Sequence, residues 1–398
     1  MSGMVRKLWN FTVPAFYACV MLYVTYTGFA NPNRNWDMIC YVGSVTAWQE
    51  KTPEAIYASA MGTLKASVPD WMYQQFTQNA LSATPAAYVQ QIPFCQVKPL
   101  YNASMWFLHL VTGMTLPIAS WVTSAIGFFT LSVLLFLWRP RFLPRNTWLL
   151  LVLGLTLLGE EPMAELAQLS TPDMLCTVLL IAALFAWLMR HSFRFFCVFG
   201  MLSMLARPDA IIPIGAFTAY FATFAPKEHR ISLVKGGAFI LSLIVVTVVV
   251  KHLAQPANYT YGLFFIYSFL NKNPNPATMD AHLTWDMYWQ IFSVSLFEFL
   301  TVHRIIVLLV LTALAFFCYY MWPRRGNRLW FHVLLVTWGS LSVRFILWPA
   351  SHEYRFYYGY CLMILLACGE LISPYAGILW NMLQEHRRRL KASERAQP

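Results

Sequence analysis

Apolar runs recur along the chain, separated by short stretches in which basic residues cluster. The first covers residues 8–29, directly after Val5-Arg6-Lys7. It is too long for a signal-peptide core, and no small-x-small cleavage site precedes the polar stretch behind it, so it reads as a retained anchor. Further runs cover 118–138, 147–159, 172–189, 194–206, 209–225, 236–254, 303–322, 329–348 and 357–381. A bilayer-spanning helix needs about 20 apolar residues, and several of these runs fall short of that. The pattern predicts an all-α polytopic membrane protein: one bundle over 1–384, then a basic cytoplasmic tail, 385–398, with a disordered-looking composition.

Two long segments lie between the runs, about 30–117 and about 255–302. Within the first, residues 100–117 (LYNASMWFLHLVTGMTLP) decide the topology. Their length and their Tyr and Trp content suit a helix at the membrane interface or a re-entrant one. Each of the ten runs then crosses once, from a cytoplasmic N-terminus. Every short basic cluster falls inside: Arg6 and Lys7; Arg139, Arg141 and Arg145; Arg190 and Arg194; Lys227, Arg230 and Lys235; Arg324, Arg325 and Arg328; and the tail. Those are 18 of the 28 Lys and Arg, the bias that the positive-inside rule demands. Eleven crossings, the alternative, would lose that bias. With ten, all 17 acidic residues except Glu228, Glu370, Glu385 and Glu394 lie on the outer face, together with both long segments.

Composition narrows the class. Charged residues are 11% of the chain and hydrophobic ones 58%, against roughly 25% charged in soluble domains. The mean hydropathy is +0.52. The net charge of +11 does not point to nucleic acid, because the basic residues form separate short clusters and no continuous patch. The eight cysteines show no CxxC and no zinc spacing. Most sit inside apolar runs. Cys40 and Cys95 share the first long segment and could pair if it faces an oxidising compartment.

Four groups of outer residues could carry chemistry. Asn35-Trp36-Asp37 places a carboxylate where the first run ends, as a helix cap or as a reactive acid. Glu160 and Glu161 stand at the mouth of a run, followed by Ser170-Thr171-Pro172-Asp173, whose Asp also suits a helix N-terminus. Arg207-Pro208-Asp209 forms a turn between two apolar runs; charges at that depth are costly unless paired or functional. Ser351-His352-Glu353-Tyr354-Arg355-Phe356 gathers a His, a carboxylate, a phenol and a guanidinium in one short loop. Arg can grip a phosphate bidentately, and His can complete an anion site or move a proton.

At these residues the chain resembles the GT-C superfamily of membrane glycosyltransferases, and within it the mannosyltransferase branch that uses lipid-linked sugar donors. That branch has an acid just after its first span, an Arg-Pro-Thr between middle spans and a late His-Lys-Glu-x-Arg-Phe. Here Asn35-Trp36-Asp37 stands in the first place. Arg207-Pro208-Asp209 stands in the second, with Asp replacing Thr, and His352-Glu353-Tyr354-Arg355-Phe356 in the third, one residue shorter. Lys98-Pro99-Leu100-Tyr101 is similar to a Pro-Leu-Tyr element that closes the first outer loop in many bacterial members. The ordered set spans nearly the whole chain.

The resemblance implies a GT-C-like bundle with membrane-parallel helices in the first outer loop, and a polyprenyl- or dolichyl-phosphate sugar donor. It makes Asp37 the catalytic base. Arg207, His352 and Arg355 become candidates for the donor phosphate. Glu160, Glu161, Asp173, Asp209, Glu353, Lys98 and Tyr101 become candidates for holding sugar or acceptor, or for orienting the arginines. The expected reaction is inverting transfer of a hexose or pentose to a glycan or lipid-linked acceptor on the outer face. No cofactor is required by the sequence; the acids could bind a divalent cation through oxygen, but no spacing specifies one. The aromatic segment Tyr259 to Phe269 could line the access of a prenyl chain, or form an interfacial belt.

The rival readings are a ligase that moves a preassembled glycan from a lipid carrier, and a transporter, for which Lys251, Arg344 and Glu370 are the charges within or near spans. The short loops and Lys98-Pro99-Leu100-Tyr101 point to a bacterial inner membrane with a periplasmic site. The alternative is the endoplasmic reticulum with a lumenal site, where Asn102-Ala103-Ser104 and Asn258-Tyr259-Thr260 would be glycan acceptors.

Overall fold

The computed structural model describes residues 3–142, 161–301, 303–321, 327–350 and 354–395. The run expected over 147–159 lies outside the described residues, as do Glu160, His352 and Glu353. Within them the chain is all-α, with one isolated parallel bridge, Asn33 to Leu169. The helices are α1 Gly3–Ala30, α2 Asp37–Thr46, α3 Pro53–Lys65, α4 Asp70–Gln78, α5 Pro85–Gln91, α6 Pro93–Gln96, α7 Pro99–Thr112 and α8 Leu116–Phe142. After the undescribed segment come α9 Glu161–Gln168, α10 Asp173–Leu188, α11 Phe193–Ala206, α12 Ile211–Thr223, α13 Leu233–Ala254 and α14 Tyr261–Phe269. The last are α15 Trp285–Thr301, α16 His303–Met321, α17 Asn327–Leu347 and α18 Tyr358–Arg395.

Nine of the ten predicted runs are described, and each is helical. Among the described residues four stretches are long and apolar enough to cross a bilayer: Phe11–Ala30, Leu116–Trp138, Leu233–Ala254 and Arg328–Leu347. A fifth arises if α15 and α16, bent by 69°, count as one span. Helices α10 and α11 have 16 and 14 residues, about 24 and 21 Å at 1.5 Å per residue, short of the ~30 Å apolar thickness.

The chain departs from expectation in three places. Ten crossings were expected, whereas four helices among the described residues, or five with the bent pair, are long and apolar enough to cross. Residues 285–301 were expected in a non-spanning outer segment, but they form the apolar helix α15. Its Trp285, Trp289 and Phe297 are exposed. The tail from Glu385, which looked disordered, continues α18 to Arg395. Its Arg, Lys, Glu, Ala and Leu are all good helix formers, and no Gly or Pro intervenes before Pro398.

The first long segment, α2 to α7, has a core of its own. Met38, Tyr41, Val45, Leu64, Tyr88 and Tyr101 are buried there and pack down onto Leu116, Trp121 and Val122 of α8. Thr52 and Thr84 cap α3 and α5 by accepting from Ala55 and Ala87, with Pro53 and Pro85 in the first helical positions. Helix α7 stops at Gly113, whose φ of 73° is a left-handed cap. At 14 residues it reaches about 21 Å, too short to cross alone. It buries Tyr101, Asn102 and Met105 and exposes Phe107, Leu110 and Val111.

The second long segment is pinned to the first. Phe94 packs with Tyr259 and Leu263. The Tyr259 hydroxyl donates to Gln90 O at 2.7 Å, Tyr267 donates to Gln91 Oε1 at 2.5 Å, and Gln255 Nε2 donates to Pro93 O at 3.2 Å.

Candidate active site

The site begins with a backbone arrangement. Gly28 lets α1 approach α9 closely: a Cβ there would lie 2.6 Å from the Ala167 carbonyl oxygen. Beyond this contact Asn33 N donates to Gln168 O at 3.0 Å, its side chain donates to Glu165 Oε1 at 3.0 Å, and Asn33 and Leu169 form the parallel bridge. Asp37 follows Asn33 by four residues, and Asp173 follows Leu169 by four. Each Asp is the first residue of its helix, α2 or α10, where the helix dipole favours a carboxylate. One bridge thus delivers two acids side by side.

Arg355 joins them. From the 3₁₀ turn Tyr354–Phe356, its Nη2 lies 2.7 Å from Asp37 Oδ2 and its Nε 3.9 Å from Asp173 Oδ2. Asp173, 3% exposed, also accepts from Thr171 Oγ1 at 2.5 Å and pairs with Arg207. Arg207 leaves the end of α11 in extended conformation and grips Asp209 with two bonds of 3.0 Å, from Nε and Nη2. Asp209 Oδ2 accepts in turn from Arg344 Nε at 2.6 Å, and Arg344 Nη1 donates to Trp348 O at 3.2 Å. The result is an alternating chain, Asp37–Arg355–Asp173–Arg207–Asp209–Arg344. The Phe356 ring lies against three of these guanidiniums, 4.5 Å from Arg207, 5.1 Å from Arg355 and 5.5 Å from Arg344, within cation–π range.

Lys98 completes the group. Its Nζ donates to the Tyr41 hydroxyl at 2.6 Å. Burial, with Arg207 and Arg355 nearby, brings the ammonium down to about 8 against the pull of Asp37. Burial by itself would raise the Asp37 carboxyl, but Arg355, then Lys98 and Lys272, outweigh it and hold Asp37 below the usual carboxylate range. The Asp37 side chain keeps 40% exposure while that of Arg355 keeps 15%. Asp173, Arg207, Arg355, Phe356 and Tyr360 line a cavity of about 20 Å³, room for about one water molecule.

The structure therefore gathers Asp37, Lys98, Asp173, Arg207, Asp209 and Arg355 from across the sequence. Tyr101 does not reach them as a ligand would. It is fully buried, its hydroxyl donates to Ser120 O at 3.0 Å, and its ring supports Tyr41 at 4.8 Å. Glu161 opens α9, while Glu160, His352 and Glu353 fall outside the described residues. Among the described residues no three His, Cys, Asp or Glu side chains converge as metal ligands.

The sequence reading missed Arg344 and Phe356 as members of the site. Arg344 stood out only as a charge in a span. Its signal was a position in the last turn of α17, near enough to the Arg355 loop for both to face one cluster.

Cys40 and Cys95 form a disulfide across 55 residues. Cys40 follows Asp37 by three positions and Cys95 precedes Lys98 by three, so the bridge fastens the acid to the ammonium. Replacing both cysteines by Ser is expected to cost about 2–4 kcal/mol of stability. A lowered unfolding midpoint in non-reducing buffer, with no difference from wild type once wild type is reduced, would bear this out; an unchanged midpoint would refute it.

Compared with known proteins, the chain matches no family profile, no curated sequence and no solved structure.

Proposed function

We propose that this chain is an integral membrane glycosyltransferase, moving a sugar from a polyprenyl-phosphate donor to a glycan or lipid-linked acceptor, with inversion. The observation that carries this reading is the convergence of Asp37, Arg207 and Arg355, from three distant motifs, on one cluster that also holds Lys98. A partly exposed carboxylate beside guanidiniums and an ammonium suits a base next to an anion site. The acceptor oxygen attacks the anomeric carbon as Asp37 takes its proton. The bond from that carbon to the phosphate oxygen breaks, and its electron pair leaves with the phosphate. Arg355, Arg207 and Lys98 stabilise the charge that develops there. A phosphate leaves without strong acid assistance, so one carboxylate suffices, unlike the pair used in glycoside hydrolysis.

The disulfide supports an outer, oxidising location for the site, on the side where the acidic residues were expected. We infer a bacterial inner membrane with a periplasmic site. In the alternative, a lumenal site, Asn258 is exposed and open to modification, whereas Asn102 is 1% exposed. Arg344, a charge that could have served transport, is engaged by Asp209 within the cluster. A glycan ligase would use the same phosphate chemistry and differ in what the carrier bears.

The test is binding of undecaprenyl phosphate, against undecaprenol, to the full chain in nanodiscs. We expect at least about tenfold preference for the phosphate, lost in Arg355→Ala. Binding should weaken as pH rises through about 8, where Lys98 gives up its proton; below that pH the ammonium is charged and binding is full. Equal affinity for the alcohol and the phosphate would sink the reading.

A further inference from the structure

We propose that donor binding and base activation are one event: the Arg355 guanidinium that holds Asp37 in the free protein moves onto the donor phosphate and releases the carboxylate. The idea rests on the transferase reading above and adds a control step to it.

The geometry of the free protein is wrong for a base. Asp37 Oδ2 is occupied by Arg355 Nη2 at 2.7 Å, a charge-assisted bond that competes directly with a proton. General bases work best when their proton affinity suits the operating pH, and a carboxylate locked to a guanidinium falls below that. Nor is the anion site ready. The cavity that Asp173, Arg207 and Arg355 help to line is about 20 Å³, one water's worth, so a phosphate seated there displaces a side chain.

Arg355 is the group placed to shift. Its backbone lies in a 3₁₀ turn between α17 and α18, and it pairs with Asp37, the more exposed side of that ion pair, where a donor would arrive. Arg207 is fastened by two bonds to Asp209 and a third contact to Asp173. The donor phosphate, a diester, presents two charged oxygens that the Arg355 fork can grip together, whereas in the free protein Arg355 Nη2 meets Asp37 through Oδ2. Moving the guanidinium from the carboxylate to the phosphate removes the strongest charge holding Asp37 in its unprotonated form.

The other groups around Asp37 stay in place through this exchange. Lys98 stands ahead of α7, Lys272 follows α14, and the Asp37 charge is felt by the phenols of Tyr41 on α2, Tyr101 on α7 and Tyr267 on α14. Burial keeps the three phenols protonated, so they do not compete for the proton. Asp173 faces Asp37 through Arg355 and adds a like charge once the guanidinium moves. Asp37 thus becomes a competent base only when a donor is seated, and an acceptor arriving first meets a blocked carboxylate.

The experiment is calorimetric titration of undecaprenyl phosphate into the full chain in nanodiscs at about pH 4.5, close to the ordinary carboxylate range, in two buffers of different ionisation enthalpy. Linkage requires that a ligand which raises the proton affinity of Asp37 be bound with proton uptake. Wild type is expected to take up more protons than Asp37→Asn, by some tenths of a proton per ligand. Asp37→Asn is expected to bind about tenfold more tightly, because the phosphate no longer draws Arg355 away from a rival. In Arg355→Gln the Asp37-dependent uptake should vanish, shown by the double variant matching it. Equal uptake in wild type and Asp37→Asn, with both binding, would overturn the coupling and leave the transferase reading standing. No preference for the phosphate in any variant would remove the transferase reading and the coupling with it.

Discussion

Asp37→Asn is expected to slow sugar transfer about 10²- to 10⁴-fold, the span that a positioned general base contributes. The substitution is nearly isosteric, and Asp37 is the most exposed acid of the cluster at 40%, so loss of fold is not the cause. Arg355 retains Asp173 as a partner. The reaction is followed as release of polyprenyl phosphate from a lipid-linked sugar, and binding of free polyprenyl phosphate is measured in the same preparation. Near wild-type turnover in folded protein would take Asp37 out of the mechanism. Loss of binding together with turnover would instead give the residue a structural role.

Asp209→Asn acts on stability. It leaves Arg344, 3% exposed, with the Trp348 carbonyl and no carboxylate, and deprives Arg207 of its bidentate partner. Removing one member of a buried ion pair typically costs about 3–5 kcal/mol, because the remaining charge is stranded. The unfolding midpoint of the purified protein should fall clearly. Adding Arg344→Met, which fills similar volume without charge, should recover much of the loss. A midpoint within error of wild type in the single variant would show that Arg344 finds another partner or water, and the network would then matter less than its geometry implies.

The long apolar runs made most helices legible, since backbone groups in lipid can be satisfied only within the helix. The ends of elements were harder. Residues 285–301 open with Trp285-Asp286 and contain Glu298, so they read as surface, yet their apolar residues complete a helix. The tail was misjudged because charge density hides helix propensity. The candidate site was legible as motifs: Asp37, Arg207 and Arg355 were placed on one side by counting charges. Their pairing was not, because it depends on the Asn33–Leu169 bridge and on Arg344, which no local pattern links to position 209. Tyr101 shows what a motif leaves unsaid. Its motif position drew attention, while its hydroxyl is engaged by a backbone carbonyl.

The cluster draws its charges from positions 37, 98, 173, 207, 209, 344 and 355, and these leave the ribosome in that order. Once Asp209 has emerged, the growing chain holds three of these carboxylates against Arg207 and Lys98, a net charge of −1. With Arg344 and Arg355 the same group holds three against four, a net charge of +1. The polarity of the site therefore reverses late in synthesis. The anion-attracting character of the site is missing from an unfinished chain and appears only with the last two arginines, as α17 ends and α18 begins.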